Sequence, residues 1–233
     1  MRQTGAEGQD TVIFLTGSPG AGKTSSVVND GQIDPNIKAI YEGQLVNTRD
    51  KSTLDKFQQA INSRAKIDII VVHAKPEDAL ENTFKRFSSP HDGRGASIQT
   101  MAKIQGNTPD CLEHLHKMFG DRINLTILDV TKGRESENAK LFTGWQHLNV
   151  IRSEGNELEI KQKLEKHLLT QWEKGVITNE CFEQAAGGRQ NAVEISANTN
   201  REFLTKSTSR PGQNEQGRAI SSASGSLDNN TAR

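Results

Sequence analysis

A glycine-rich octapeptide near the start of the chain has the spacing of a phosphate-binding loop. Residues 17–24 read GSPGAGKT, which matches the pattern G-x-x-x-x-G-K-[ST]. In such a loop the backbone N–H groups face a polyphosphate, the lysine ammonium neutralises the β and γ phosphates, and the final hydroxyl binds Mg²⁺. The residues expected to contact the nucleotide are Gly17, Ser18, Pro19, Gly20, Ala21, Gly22, Lys23, Thr24 and Ser25, with Thr24 as the ligand of Mg²⁺.

The segments on both sides of this loop are those that a nucleotide site requires. Thr11–Thr16 is a short apolar run typical of a buried strand, and residues 25–28 can form the first turn of a helix. A helix that starts at the phosphates adds a favourable partial positive charge. The alternative is a glycine turn with a structural role only. The order strand, loop, helix favours a site for ATP or GTP with Mg²⁺.

Phosphoryl transfer requires further charged groups besides this loop. Glu42 directly follows the apolar run Ile37–Tyr41, and ligands of parallel sheets bind at the carboxyl ends of the strands. Arg86, at the end of a predicted helix, and Arg94, in the polar loop after it, can stabilise charge on a transferred phosphoryl group. We therefore predict Lys23, Glu42, Arg86 and Arg94 as catalytic residues. The alternative is a turn glutamate and two solvated arginines.

Two further polar residues end predicted strands. His73 follows one apolar run, and Asp129 ends another. A half-buried histidine with satisfied hydrogen bonds is the more common case, and aspartates at strand ends often cap the next turn. We expect structural roles for both, although Asp129 has a position from which it can face the cleft.

The pattern of apolar residues predicts the elements that position these groups. Four short, continuously apolar runs predict buried parallel strands, namely Thr11–Thr16, Ile37–Tyr41, Ile67–His73 and Ile123–Asp129. Helical patterns lie between most of them, so the chain reads as βαβ units. The predicted fold class is α/β, with a doubly wound, mostly parallel sheet of about four to five strands, C-terminal helices and a disordered tail.

Capping residues and proline predict where the helices begin. Helix starts are predicted at Ser52 or Thr53, at Pro76 with an end near Phe87, at Thr108–Asp110 with a stop at Gly120, at Asn156 with an end near Trp172, and at Thr178 with a stop at Gly187. Leu148–Ile151 is predicted as a further edge strand.

Composition limits the domain organisation and the partners. The 233 residues carry 29 basic and 29 acidic side chains, so nothing in the balance indicates nucleic acid or a membrane as a partner. Hydrophobic residues make up 33%, below the usual 45–50%, which predicts that part of the chain is unfolded. We predict a flexible N-terminus (1–10), one domain (11–188) and a disordered polar tail (189–233).

The remaining composition signals concern the cellular compartment. Cys111 and Cys181 form no C-x-x-C pair, which favours reduced, buried thiols in a cytoplasmic protein. The first ten residues contain no apolar stretch typical of a secretory signal, and no run reaches the length of a membrane span.

Several segments together resemble the zeta-toxin kinases, a P-loop family. Residues 14–25 are similar to the family's phosphate-binding loop, and Tyr41–Leu45 resembles its strand-end Glu-Gly-Thr signature. Ile69–Asp78 resembles the next strand and helix start, and Arg86 falls where the family carries an arginine. The resemblance covers roughly residues 11–132, and its specific part is the loop.

The resemblance implies an ATP- or GTP-dependent kinase that phosphorylates a hydroxyl of a small, UDP-sugar-like acceptor. It implies that Lys23 and Thr24 hold the phosphates and Mg²⁺, that Glu42 positions the acceptor, and that Arg86 and Arg94 stabilise the transferred group. The resemblance leaves an antitoxin-like protein as one candidate partner.

The chain departs from the family between Lys23 and Glu42. The family has an extra strand there, which ends in an aspartate that acts as general base, and this segment is too short to hold it. Asp30 or Asp34 can substitute, or Glu42 itself can take the position of the base. The alternative hypothesis is a P-loop module that binds or slowly hydrolyses ATP and acts through protein partners.

Overall fold

The computed structural model of the chain describes residues 10–24, 37–47, 50–87, 95–133 and 138–197. At the centre of this described part is a five-stranded sheet in the order β2-β1-β3-β4-β5. Its strands are β1 (Thr11–Gly17), β2 (Ile37–Glu42), β3 (Lys66–His73), β4 (Ile123–Asp129) and β5 (Lys140–Thr143). The first four are parallel, and β5 pairs antiparallel with β4. The predicted fold class and the four predicted strands are confirmed.

Helices cover both faces of this sheet. They are α1 (Lys51–Asn62), α2 (Pro76–Phe87), α3 (Ile98–Phe119), α4 (Asn149–Arg152), α5 (Glu157–Glu173), α6 (Asn179–Ala186) and α7 (residues 189–197). The start of α2 at Pro76 is as predicted, and Asn156 caps α5 in a reciprocal capping box with Glu159. Within the described part, no helix has the length and apolar character to cross a membrane.

The two faces of the sheet build two separate core clusters. Ile13 and Leu15 of β1 pack on the face covered by α2, α5 and α6, whereas Phe14 packs on the face covered by α1 and the second half of α3. Successive residues of a strand point to opposite faces, so a strand covered on both sides must be apolar throughout. This requirement explains why β1 and β3 read as continuous apolar runs.

The predicted helix start at Thr108–Asp110 is wrong. Pro109 lies inside α3, which begins at Ile98. Ser97 caps this helix, and its side chain accepts a hydrogen bond from the Thr100 N–H. A proline inside a helix costs about 3 kcal/mol, but Ile104 and Leu112 on either side are buried, and their burial offsets that cost. The predicted stop at Gly120 is confirmed, since Gly120 has a φ of 57° and caps the helix.

The predicted edge strand at Leu148–Ile151 is also wrong. These residues lead into and form α4, in which Ile151 is 5% exposed and packs into the core. The edge position belongs to β5, which sequence reasoning missed because its side chains are mostly exposed and Leu141 is 67% exposed. A short strand that buries little apolar surface leaves a weak pattern in the sequence.

The predicted start of the disordered tail, at residue 189, is too early in the sequence. The predicted short helix capped by Thr178 is present as α6 and ends at Gly187, but residues 189–197 then form α7. Ala192 and Ile195, three positions apart on α7, are buried in the same cluster as α5 and α6. Folded structure therefore continues past residue 188, and the predictions for residues 1–9 and 198–233 lie outside the described residues.

Replacing Ile195 by alanine tests whether α7 is part of the core. We expect Ile195→Ala to lower the free energy of unfolding by about 2 kcal/mol or more, since it removes a side chain that is 8% exposed. Val193→Ala on the same helix is the control, because Val193 is 60% exposed and its truncation should change stability by less than about 0.5 kcal/mol. Equal effects of the two substitutions in urea unfolding would show that α7 does not dock.

Candidate functional site

The phosphate-loop motif forms a tight turn at the carboxyl end of β1. Gly17 has a φ of 141° and Gly20 a φ of 79°. These are backbone conformations that residues with a side chain rarely adopt. A Cβ atom at Gly17 would lie 2.4 Å from the carbonyl oxygen of Val72 on β3, and one at Gly20 would lie 2.1 Å from that of Ala79 on α2. The loop therefore packs directly on β3 and α2, and only glycine fits at these two positions.

Hydrogen bonds fix the loop in this position. Asn82 of α2 donates from Nδ2 to the Gly20 carbonyl at 3.0 Å, and the Ala21 N–H donates to the Ser18 carbonyl at 3.1 Å. Ser18 is 3% exposed, and its hydroxyl has no hydrogen-bond partner in the described part of the chain. A buried polar atom without a partner is costly, so this hydroxyl is available to a ligand in the loop.

Lys23 turns its ammonium group back into the loop. Its Nζ donates to the Gly17 carbonyl at 3.0 Å and to the Ser18 carbonyl at 3.3 Å, and it lies 3.9 Å from Oε1 of Glu42. Only 13% of the Lys23 side chain is exposed. Burial lowers the pKa of Lys23, the carboxylate of Glu42 opposes that shift, and the charge of Arg86 adds to it. A partly desolvated cation thus lies at the centre of the loop.

Strand pairing brings Glu42 to the loop. In the parallel pair of β1 and β2, Glu42 is opposite Leu15, and the Gly43 N–H donates to the Leu15 carbonyl at 3.0 Å. The Leu45 N–H then donates to Oγ1 of Thr16 at 3.2 Å, so the chain after β2 lies against the end of β1. β2 and β1 are direct neighbours in the sheet. Glu42, predicted from its place after β2 to lie at the carboxyl ends of the strands, is thus close to Lys23 in the structure.

The other predicted site residues fall into two groups. Arg86 is half-buried on the last turn of α2, and its effect on the pKa of Lys23 places its charge near the loop. Thr24, which is exposed, follows Lys23 in helical backbone. Ser25 and Arg94 lie outside the described residues, as do the two candidate aspartates Asp30 and Asp34.

A small cavity lies beside Glu42. It has a volume of about 40 Å³, and its polar lining residues include Tyr41, Glu42, Gln44, Thr53 and Lys56. Sequence reasoning did not identify Tyr41 or Lys56 as site residues. No pattern within one segment identifies them, because the cavity forms where residues of α1 and of the end of β2 come together.

His73 and Asp129 occupy structural positions at the ends of β3 and β4. His73 is 5% exposed, and its Nε2 lies 4.0 Å from Oε1 of Glu154. Burial lowers the pKa of His73, and the carboxylates of Asp129 and Glu154 oppose that shift. Oδ1 of Asp129 accepts a hydrogen bond from the Thr131 N–H at 3.0 Å, and so caps the turn after β4.

The two cysteines are buried and free. Burial raises the pKa of the Cys111 thiol to about 11, so this side chain stays protonated near neutral pH. Cys181 lies in the core beside α5, and burial also raises its pKa. Both thiols behave as small apolar core residues, which agrees with the sequence prediction of buried thiols.

The chemistry of the loop fits a magnesium nucleotide. The hydroxyl of Thr24 is a hard oxygen donor of the type that Mg²⁺ takes. Within the described residues, no group of three or more His, Cys, Asp or Glu side chains could hold a metal by itself. An Mg²⁺ ion at this site would therefore take most of its ligands from phosphate oxygens and water.

Comparisons with known proteins give a distant structural likeness. No family model matches the chain, and no curated protein matches it. The chain is similar to two crystal structures of the AvrRxo1-ORF1:AvrRxo1-ORF2 complex, one native and one with sulphate ions. Each comparison has 10% sequence identity and a TM-score of 0.46, and covers 81% of this chain and 79% or 80% of the other.

The lowered pKa of His73 predicts a specific pH dependence of stability. In the unfolded chain a histidine has a pKa near 6.5, so His73 binds a proton more readily there than in the folded protein. Stability should therefore fall as the pH decreases below about 6.5, because protonation favours the unfolded state. His73→Gln should flatten this decline between pH 7 and 5, as measured by urea unfolding. His114→Gln, at an exposed position of α3, should not; parallel curves for all three proteins would contradict this account.

Proposed function

We propose that the chain is a magnesium-dependent P-loop phosphotransferase of zeta-toxin type. It transfers the γ-phosphoryl group of ATP or GTP to a hydroxyl of a small acceptor, of which a UDP-linked sugar is one candidate. The observation that carries the proposal is the position of Glu42 3.9 Å from the ammonium of Lys23, at the ends of two neighbouring strands. Lysine on the phosphates and a carboxylate beside them are the two groups that a phosphoryl transfer site requires.

Lys23 and the loop bind the nucleotide. The ammonium exchanges its two carbonyl partners for oxygens of the β and γ phosphates, which are stronger acceptors because they are charged. Backbone N–H groups of the loop after Pro19 and the hydroxyl of Ser18 add donors around the phosphates. Thr24 would hold a bound Mg²⁺ in part, and the ion would neutralise phosphate charge.

Glu42 orients the acceptor. Its side chain is 48% exposed, so it can reach a hydroxyl in the open cleft next to Lys23. The acceptor oxygen forms a bond to the γ phosphorus as the bond to the β–γ bridging oxygen breaks, and the hydroxyl proton passes to the Glu42 carboxylate. In this proposal Glu42 takes the position of the general base. Arg86 and Arg94 stabilise the charge on the transferred group.

One observation favours a second candidate function. β2 lies directly beside β1, so among the described strands none lies between them to carry an additional aspartate. If Glu42 is not a sufficient base, the site binds ATP and hydrolyses it slowly to ADP and phosphate. Such a module would act through protein partners, an antitoxin-like protein among them.

Nucleotide binding should stabilise the protein through Lys23. We expect Mg·ATP or Mg·GTP to raise the melting temperature, since a ligand at 100 times its Kd adds about 2.7 kcal/mol to stability. Lys23→Ala should remove the increase, because the phosphates lose their cation. Lys51→Ala, at an exposed position of α1, should keep it. No increase for the wild type with either nucleotide at millimolar concentration contradicts both candidate functions.

Glu42 should be required for transfer and not for nucleotide binding. Incubation with γ-labelled ATP and a panel of UDP-sugars and nucleosides should give a labelled acceptor. We expect Glu42→Gln to lower the transfer rate by about 10²- to 10⁴-fold, the range for loss of a general base, with nearly unchanged nucleotide affinity. Full activity of this variant removes Glu42 from the mechanism. Label found only as free phosphate supports the second candidate function.

A further inference from the structure

The cavity beside Glu42 has an aromatic wall. The rings of Phe119, Phe57, Phe14 and Tyr41 follow one another, with centroids 5.7, 3.7 and 5.3 Å apart. Phe57 and Phe14 are fully buried, and Tyr41 is the half-buried end of the row. The buried ring of Phe14 is held by the close-packed core, and it supports the ring of Tyr41 from one side at the cavity.

Lys56 supplies a positive charge at this wall. It lies on α1 one residue before the buried Phe57, and its Nζ is 5.4 Å from the centroid of the Tyr41 ring. In the described part of the chain it makes no ion pair within 4 Å. The charge of Lys56 contributes to the lowered pKa of Asp50. The main cause of that lowered pKa is the hydrogen bond that the Asp50 carboxylate accepts from the Thr53 hydroxyl. The ammonium of Lys56 thus keeps its capacity to donate to a ligand.

The other residues that line the cavity are compatible with a bound anion. Glu42 is the only acidic residue among the described lining residues, and Lys23 lies 3.9 Å from its carboxylate and offsets its charge. Gln44 and Thr53 add uncharged donors. The volume of about 40 Å³ is about three times the roughly 10–15 Å³ that one water molecule requires on the same measure. The cavity therefore has room for one small group of a few heavy atoms.

We propose that this cavity binds an anionic group of the acceptor, such as a phosphate, sulfate or carboxylate. Lys56 is the cation that binds the anionic group, and the ring of Tyr41 lines the cavity beside it. The acceptor would then extend from Lys56 to Glu42, where its hydroxyl meets the γ-phosphate; this arrangement rests on the proposed function, whereas the anion site does not. Lys56 would make the enzyme select charged acceptors over their neutral counterparts.

The amino-acid composition offers a direct probe of this cavity. Tyr41 is the only tyrosine of the chain, so the full chain labelled with 3-fluorotyrosine gives one ¹⁹F resonance from the cavity wall. Inorganic phosphate and ribose 5-phosphate should shift this resonance in a saturable way, whereas ribose should not. Lys56→Gln should weaken the apparent affinity for both anions by about tenfold or more, the effect of losing one charged hydrogen bond. Lys51→Gln, exposed on the same helix, is the control and should leave it unchanged.

A second variant separates this cavity from the phosphate loop. Lys23→Ala weakens any binding of phosphate to the loop, and it also leaves the Glu42 carboxylate without its neighbouring cation. We therefore expect the ¹⁹F shift to survive in this variant with a weaker apparent affinity. A shift that is lost in Lys23→Ala and kept in Lys56→Gln overturns the proposal, as does the absence of any shift in the wild type up to the solubility limit of the phosphate. The readout does not require ATP, so a failure of nucleotide binding contradicts the proposed function and leaves this test intact.

Discussion

The buried ammonium of Lys23 is the interaction on which the site depends. A charge with so little exposure to water requires compensation, and two loop carbonyls and the carboxylate of Glu42 provide it. Carbonyl oxygens are weak partners for a cation compared with phosphate oxygens. The same desolvation that lowers the pKa of Lys23 therefore favours an anion that can enter the loop. Binding and catalysis, as proposed, begin from this one group.

The sheet order explains how the fold places the other groups around Lys23. β3 and α2 support the loop from one side, through the contacts of Gly17 and Gly20, and α2 ends at Arg86. β2 lies on the other side of β1, ends at Glu42, and leads into the cavity in front of Lys56. In the proposed function, the nucleotide lies toward α2 and the acceptor toward the end of β2.

Much of the fold and part of the site could be predicted from the sequence. Continuous apolar runs identified the four parallel strands, and their carboxyl ends predicted that Glu42 lies near Lys23. Pro109 led to a wrong prediction of a helix start, because the rule for proline concerns local backbone geometry only. Burial of the surrounding α3 residues keeps the helix continuous through Pro109. The cavity at Tyr41 and Lys56 could not be predicted, since it depends on how α1 packs beside β2. Patterns in one segment do not report such tertiary contacts.

A structure of the full chain with Mg²⁺ and a non-hydrolysable ATP analogue would show whether Lys23 binds the phosphates. We expect Nζ of Lys23 to leave the carbonyls of Gly17 and Ser18 and to lie within hydrogen-bond distance of the β and γ phosphate oxygens. We also expect the carboxylate of Glu42 to face the γ-phosphate. A nucleotide bound elsewhere, or a Lys23 that keeps both carbonyl partners beside an empty loop at saturating analogue, would contradict this expectation.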